Sequence, residues 1–304
     1  MKFHVVTPSY NQVNWLRCCI ASVRDQANPG RVEIHHHIQD ACSTDGTIDM
    51  LRAVAENIED HSSYSISFIS EADGGMYDAI NRGWRAASSD TDVVAHLNCD
   101  EQYLPGALMN VATAFDQSPR ADVLLADIIV VDETGDYVCH RRSLKPHRMF
   151  SRFCCAGSTA STFQRVAVTR EKNVFFDTSW RNLGDKVWYN MLHRAGIQFA
   201  IANIPVAVFA VTGENLNWTN EGLREKKRYE DEYQFGSMMP SQIVSKINAC
   251  RRIVKEWQLQ PPAEYAVYDK GAVERRVHRI DRPRSLWHKK WPAWSPQQQG
   301  DESN

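Results

Sequence analysis

The stretch FHVVTPSYN, residues 3–11, joins an apolar strand to a polar loop, and this pattern decides the fold. The strand is predicted at residues 3–7, and the chain then runs into Pro8-Ser9-Tyr10-Asn11. Further strands are predicted at residues 33–38, 65–70 and 93–97, each ending in polar or acidic residues. Ligands of an open α/β sheet bind outside the carboxyl ends of its strands. Repeated acids at these ends therefore predict a cation-assisted site for a polyanion.

The segments between these strands carry apolar residues at helical spacing, and Asn11 is available to cap the first helix. Alternating strands and helices of this length predict βαβ units and a largely parallel sheet. The apolar stripes are Trp15, Leu16, Cys19, Ile20 and Val23; Ile48, Leu51, Val54, Ala55 and Ile58; Met76, Ile80 and Ala87; and Leu104, Leu108, Val111, Ala112 and Phe115.

Composition limits the classes of protein that the chain can belong to. It has 304 residues, 43% of them apolar, and a formal net charge of −2. This charge, with no basic stripe in the first 200 residues, predicts no nucleic-acid partner. The most apolar stretch, residues 199–211, is too short to span a membrane and contains Asn203 and Pro205.

The cysteines and a run of histidines invite metal or disulfide interpretations that their spacing does not favour. The eight cysteines include no C-x-x-C pair, so we expect reduced thiols and a cytoplasmic location. A strand begins almost at the first residue, which leaves no room for a signal peptide. Successive strand residues face opposite sides of a sheet, so we expect His35, His36 and His37 to be packed or hydrogen-bonded rather than to share a zinc ion.

Four motifs in series resemble those of the family-2 nucleotide-sugar glycosyltransferases. They are Thr7 to Asn11, Asp40 to Thr47, Asp73 to Gly83 and Leu97 to Glu101, and they cover about the first 105 residues, with a looser match to about residue 212. The resemblance implies an α/β GT-A (Rossmann-like) fold. A single catalytic domain would have a mostly parallel central sheet flanked by helices, with a C-terminal helical extension and a tail.

The same resemblance implies which residues bind the nucleotide-sugar donor. The loop after the first strand and Asp40 would hold the base, Asp40 by accepting a base N–H. Asp73 would face the nucleotide, although it could equally be a turn residue before two glycines. Ser43 and Thr44 are better explained as helix caps. The implied donor-binding residues are Pro8, Ser9, Tyr10, Asp40, Asp73, Asn98 and Cys99.

Asp100 is the predicted metal ligand. Mg²⁺ or Mn²⁺ bridging a carboxylate to the diphosphate stabilises the charge that develops on the leaving group. The family's motif is Asp-x-Asp, whereas this chain has Asn98-Cys99-Asp100. Asparagine supplies no second charge, so we expect weak metal binding without nucleotide.

The second half of the chain contains the predicted catalytic base. Residues 123–131 and 136–142 predict a β-hairpin, and residues 158–163 a further strand. A helical stripe of Val187, Met191, Leu192 and Ala195 ends at Gly196. The family places its catalytic base at the start of such a helix, where this chain has Asp185. A helix cap is the alternative role for this residue, and Asp177 is the alternative base.

The predicted domain organisation follows from these motifs. Residues 1–215 would form the catalytic domain, with a nucleotide-sugar half at 1–105 and an acceptor half at 106–215. Residues 216–258 predict a helical extension, and residues 259–304 a basic tail with tryptophans and prolines whose end is disordered. The tail could contact an anionic membrane surface on the cytoplasmic side or pack on its own domain.

Together these observations predict an inverting, metal-dependent glycosyltransferase that moves one sugar from a nucleotide-sugar donor to an acceptor hydroxyl. The acceptor would be a glycan or a lipid-linked sugar, in cell-surface polysaccharide or glycolipid assembly. Two alternatives remain. One is a non-catalytic nucleotide- or sugar-binding module, which Asn98 favours. The other is a sugar-1-phosphate nucleotidyltransferase, for which residues 8–10 lack the Gly-rich loop.

Overall fold

The computed structural model describes residues 1–57, 63–147, 156–211, 220–234 and 263–286, with isolated positions between 243 and 250. In the first 117 residues, strands and helices follow each other in the predicted order. The elements are β1 (Lys2–Ser9), α1 (Val13–Arg24), β2 (Glu33–Asp40), α2 (Thr47–Glu56), β3 (Tyr64–Ser70), α3 (Met76–Arg85), β4 (Val93–His96), β5 (Glu101–Tyr103) and α4 (Ala107–Gln117).

The second half adds antiparallel strands and the helix that carries Asp185. Its elements are β6 (Val123–Asp132), β7 (Tyr137–Arg141), a 3₁₀ turn (Thr159–Ser161), β8 (Thr162–Arg165), α5 (Val166–Arg170), α6 (Gly184–Arg194), β9 (Phe199–Val211), α7 (Asn220–Tyr229) with a following π-helical turn (Glu230–Gln234), β10 (Ala263–Tyr268) and β11 (Arg275–Ile280). The predicted β6–β7 hairpin is confirmed, and α6 ends as predicted, with Gly196 at φ +69°.

The strand predicted at residues 158–163 is wrong over its first four residues. The N–H of Ser161 and the hydroxyl of Thr162 both donate to the carbonyl of Ser158, at 3.2 and 2.7 Å. Such local bonds from a hydroxyl side chain compete with a strand ladder. The segment is therefore a 3₁₀ turn, and β8 begins only at Thr162.

Within the described residues, the central sheet has the order β3-β2-β1-β4-β8-β6-β9-β5, with β7 paired to β6. Strands β1 to β4 are parallel to one another, and β6 is parallel to β9. Strand β8 runs antiparallel between β4 and β6, so β6 points the same way as β4. The carboxyl ends of β1, β2, β3, β4 and β6 consequently meet at one edge.

Helices cover both faces of this sheet, as the α/β prediction requires. Buried side chains of α1 and α4 pack with β1 on one face. Those of α3 and α6 pack on the other face, where Trp84, Phe176 and Trp188 stack with ring centroids 4.8–5.7 Å apart. No helix among the described residues combines the length and the apolar character that crossing a bilayer would require.

The histidines of β1 and β2 are packed and hydrogen-bonded, which confirms that prediction. His36 is fully buried, and its ring nitrogens contact the hydroxyls of Thr7 and Tyr64 at 2.9 and 3.3 Å. His4 stacks on His35 and His37, with centroid distances of 5.2 and 6.0 Å. Their strand positions thus bury the rings of His4, His36 and His37 in the core, while His35 is partly exposed at the sheet surface.

The C-terminal region contains a β-hairpin that the sequence analysis describes only as part of a basic tail. Strands β10 and β11 pair antiparallel, and Gln102 exchanges two hydrogen bonds with the backbone of Tyr268, at 2.8 and 2.9 Å. The Arg275 guanidinium donates to the carboxylate of Asp25 and to the carbonyl of Tyr103. The predicted helical extension contains α7, whereas its second helix and the end of the tail lie largely outside the described residues.

Candidate active site

The last residues of three neighbouring strands form one row at the carboxyl edge. Ser9 of β1 is in register with Asp40 of β2, and Asp40 with Ser70 of β3. Asp40 is fully buried. Its carboxylate accepts hydrogen bonds from the N–H and hydroxyl of Ser43, at 2.9 and 2.5 Å, and from the hydroxyl of Ser70, at 2.7 Å. A base N–H could reach Asp40 only after one of these hydroxyls turns away.

The loops after β1 and β2 are tied together, which corrects two local predictions. Asn11 does not cap α1. Its side-chain oxygen accepts the N–H of Thr44 at 2.8 Å, and the first N–H of α1, that of Val13, donates to Asp45 at 2.9 Å. Ser43 does not cap α2 either, because its hydroxyl accepts the N–H of Asn11 and the N-cap residue of α2 is Gly46.

Pro8 lies within β1, which continues to Ser9, rather than in a loop after a strand that ends at residue 7. The β1–β4 ladder ends at Val6, so the missing N–H of Pro8 faces a side with no strand beside it. The thiol of Cys99 donates to the Pro8 carbonyl from that side at 3.2 Å. Ser9 is consequently buried, and Tyr10, with 63% of its surface exposed, is the accessible side chain of this loop.

The segment after β4 places two carboxyl groups side by side. Glu101 is buried and accepts the N–H of Asn98 at 2.8 Å. Burial, together with the neighbouring Asp100 carboxylate, raises the pKa of Glu101, and burial also raises the pKa of Asp100. A buried carboxyl group next to a partly buried one favours a bound cation, because a cation relieves their desolvation and repulsion. In the sequence, Glu101 is recognisable only as the last residue of the motif Leu97 to Glu101.

The donor atoms here suit a hard divalent cation. The side-chain oxygen of Asn98 is buried and has no hydrogen-bond partner among the described residues. Mg²⁺ and Mn²⁺ prefer oxygen ligands, and an orphaned buried acceptor next to a carboxylate is a suitable ligand pair. Asn98 and Asp100 therefore fit the predicted cation.

Asp100 also lines a small cavity of about 50 Å³ under the C-terminal hairpin. Trp15 lies in the same wall, and the ammonium of Lys270, in the β10–β11 turn, is 3.9 Å from its ring centroid. The C-terminal hairpin thus reaches the Asp100 side of the site, which the sequence pattern does not indicate.

The loop after β3 is braced by residues of its own motif. Asp73 accepts the N–H of Gly75 at 2.8 Å, and burial, with a contribution from Asp78, raises its pKa. Asp78 accepts the N–H of Gly74 and pairs with Arg82 at 2.8 Å. These contacts show that Asp73 has a role in the turn. Its contact with the nucleotide stays a prediction.

The motif Asp73 to Gly83 also contacts α6, the helix that carries Asp185. The N–H of Asp185 donates to the hydroxyl of Tyr77 at 3.2 Å, and Tyr77 stacks on Phe176. Gly184 permits this approach, since a Cβ there would lie 2.4 Å from the Tyr77 ring. Asn81 holds the backbone of Phe176 by two hydrogen bonds, at 2.8 and 2.9 Å. The base candidate is therefore fixed against the donor half of the molecule.

The position of Asp185 differs from that of a helix cap. Helix α6 begins at Gly184 with Leu183 as its N-cap residue, and Asp185 lies in the first turn, accepting the N–H of Lys186 at 2.7 Å. The N–H groups that precede the helix are held instead by Glu225 of α7. No local pattern could have indicated Glu225, because it is 42–44 residues away from them. Asp177, the alternative base, accepts the N–H of Ser179 at 2.9 Å.

Solved structures with the same architecture include two that were determined with a nucleotide sugar bound. S. aureus TarS (residues 1–349), solved in complex with UDP-GlcNAc, matches with a TM-score of 0.59 and 17% identity, over 84% of this chain and 73% of that one. A mannosyltransferase from Pyrobaculum calidifontis, solved with GDP-Man and Mn²⁺, matches with a TM-score of 0.56 and 17% identity, over 81% and 68% of the two chains. The fold is that of the GT-A glycosyltransferases, which confirms the predicted fold class.

The family model for glycosyl transferase family 2 matches residues 4–203, and the chain belongs to that family. An uncharacterized glycosyltransferase of Nostoc sp. is 29% identical over 124 residues. The minor teichoic acid biosynthesis protein GgaA of Bacillus subtilis is 24% identical over 199 residues. The aligned regions cover 41% and 62% of this chain but only 36% and 43% of these two relatives.

Proposed function

We propose that this protein transfers a single sugar from a nucleoside diphosphate sugar to an acceptor hydroxyl, with inversion at the anomeric carbon. The observation that carries the proposal is the contact between Tyr77 and Asp185. Tyr77 belongs to the motif after β3, at the carboxyl edge of the sheet, and its hydroxyl accepts the backbone N–H of Asp185. This contact supports a donor site and a carboxylate close to each other, as a single displacement requires.

The proposed reaction exchanges one bond for another. The bond from the sugar carbon to the diphosphate oxygen breaks, and the bond from that carbon to the acceptor oxygen forms on the opposite face. The acceptor proton passes to the Asp185 carboxylate, and the diphosphate leaves with the electron pair. Asn98 and Asp100 would hold the divalent cation, which when bound neutralises charge on the diphosphate.

The donor and acceptor classes are proposals supported by the relatives. TarS was solved with UDP-GlcNAc and the Pyrobaculum enzyme with GDP-Man, so uridine and guanosine diphosphate sugars are the first donors to test. GgaA is named for teichoic acid biosynthesis, which supports a cell-surface glycan or lipid-linked acceptor. Contact with an anionic membrane on the cytoplasmic side is supported by the exposed Arg282 and Arg284 beside the described C-terminal hairpin. Sedimentation with anionic and neutral vesicles would test this contact.

Release of nucleoside diphosphate from a panel of UDP- and GDP-sugars, with Mg²⁺ or Mn²⁺, tests the proposed activity. We expect turnover with at least one donor, its loss in EDTA, and a decrease of about a hundredfold or more in Asp100→Asn, because one charge that stabilises the leaving group is removed. Asp49→Asn is the control, since Asp49 is an exposed aspartate of α2.

Two outcomes would contradict this proposal. Tight nucleotide binding without turnover on any donor would favour the non-catalytic binding module that Asn98 suggests. Turnover that persists in EDTA and in Asp100→Asn would show that the reaction needs neither the cation nor this carboxylate.

A further inference from the structure

Glu225 is a buried carboxylate with an unusual set of partners. It lies on α7, beyond the residues that the family model matches, and is 8% exposed. Its two oxygens accept the backbone N–H groups of Arg181, Asn182 and Leu183, at 2.6, 2.8 and 3.0 Å. Three consecutive N–H groups thus converge on one carboxylate from another helix.

These N–H groups belong to the turn that leads directly into α6. The first N–H groups of a helix have no partner within it and are usually satisfied by a nearby side chain of the same segment. The N-cap residue of α6, Leu183, has an apolar side chain and makes no capping hydrogen bond. Glu225 fixes the turn immediately before it, two residues ahead of Asp185. The buried charge is tolerated because three donors stabilise it.

The rest of α7 holds the same segment on both sides of Asp185. The Arg228 guanidinium lies 4.0 Å from the Trp180 ring centroid and donates to the Ser179 carbonyl at 3.1 Å. On the far side, the Tyr229 hydroxyl accepts a hydrogen bond from Asn190 at 2.6 Å, and the Lys186 ammonium lies 4.2 Å from the Tyr229 ring centroid. Helix α7 therefore packs along the turn and the first turns of α6.

We propose that Glu225 is a positioning residue for Asp185: it sets where α6 begins and so where the base meets the acceptor hydroxyl. The inference rests on the proposed role of Asp185. Glu225 touches neither donor nor acceptor in this account. A displacement of about 1 Å at a reacting group can reduce the rate about a hundredfold, so a fixed turn of this kind has a direct kinetic consequence.

A double-mutant cycle between Glu225→Gln and Asp185→Asn tests the proposal. Glutamine keeps the shape of the side chain but replaces one acceptor oxygen with a donor, so at least one N–H loses its partner. We expect Glu225→Gln to lower kcat for transfer about 10- to 100-fold, with nucleoside diphosphate affinity within about twofold of wild type. The double variant should be no slower than Asp185→Asn alone, because Glu225 acts only through Asp185. Glu230→Gln, an exposed glutamate just beyond α7, is the control and should match wild type.

Each outcome is decisive. Wild-type kcat in Glu225→Gln, or losses that multiply in the double variant, would overturn the inference while leaving Asp185 as the base. Retained transfer in Asp185→Asn would overturn both this inference and the proposed base. If Glu225→Gln does not fold, Glu225→Asp carries the same test, since it keeps the charge but shortens its reach. That variant should then lose kcat without losing nucleotide affinity, and a wild-type kcat would count against the proposal.

Discussion

Asp40 combines a structural and a proposed binding role in one carboxylate. It is fully buried at the end of β2 and holds the turn after that strand through Ser43, while Ser70 reaches it from β3. A buried carboxylate with three donors is well stabilised. Two hydroxyls among those donors can rotate, so Asp40 retains the capacity to accept an N–H from a bound base.

Replacing Asp40 by alanine should therefore change two quantities at once. Nucleoside diphosphate affinity should weaken by about 1–3 kcal/mol, and the free energy of unfolding should fall by a similar amount, because the N–H of Ser43 loses its partner. Calorimetry with UDP and GDP and urea unfolding measure these changes, and Asp49→Ala is the control. Unchanged affinity together with lowered stability would assign Asp40 to the turn alone.

At the residue scale, sequence reasoning succeeds where the partner is close in the chain. The position of Asp40 at the end of its strand follows from the local sequence pattern. The cap of α1 could not be predicted, because the N–H of Val13 is bound by Asp45, 32 residues away, while the nearer Asn11 is engaged by Thr44. Pairing between loops at the sheet edge decides such contacts.

Strands β1, β2 and β4 bury histidines that must remain neutral for the protein to stay folded. Burial lowers the pKa of His4, His36 and His96 to about 3 each. An unfolded histidine titrates near pH 6.5, so between these values the unfolded chain binds more protons than the folded one. The stability that these residues contribute is therefore present above about pH 6.5 and is lost as the pH falls below it.

We expect the free energy of unfolding to be smaller at pH 5.5 than at pH 7. Each such histidine can lower the free energy of unfolding by up to about 1.4 kcal/mol per pH unit of acidification. Glu101 acts in the opposite direction and offsets one histidine, because its raised pKa keeps it protonated in the folded protein. Urea unfolding at the two pH values measures the difference. The His36→Gln variant, which can keep hydrogen bonds to Thr7 and Tyr64, should show a smaller difference in the free energy of unfolding between the two pH values. Equal stability at both pH values in the wild type would contradict the burial argument.

At the element scale, the sequence predicts β1 to β4 and α1 to α4 because each carries its own hydrophobic period. Strands β10 and β11 are harder to predict. β11 has the sequence RRVHRI, and its Arg275 is held by the carboxylate of Asp25, just after α1, and by a carbonyl of β5. A strand stabilised by charged side chains that reach distant elements shows no apolar alternation of its own.

At the scale of the whole molecule, elements at the C-terminal end support both parts of the proposed site. Gln102, two residues after Asp100, is bonded to the backbone of Tyr268 in β10. Glu225 of α7 holds the turn before Asp185. The family model ends at residue 203, so both supports lie outside the region that defines the family. The motifs that contain the proposed site residues could be predicted from the sequence. The contacts that fix the geometry of the site could not, because they join residues far apart in the chain.

The most direct test of the account is Asp185→Asn, with sugar transfer and nucleotide affinity measured on the same preparation. Asparagine keeps the shape of the side chain, and its oxygen can still accept the N–H of Lys186. The variant loses only the capacity to take the acceptor proton. We predict that transfer falls about 10²- to 10⁴-fold. Nucleoside diphosphate affinity should stay within about twofold, less than roughly 0.5 kcal/mol. Transfer at the wild-type rate would contradict the account and make Asp177 the next candidate for the base.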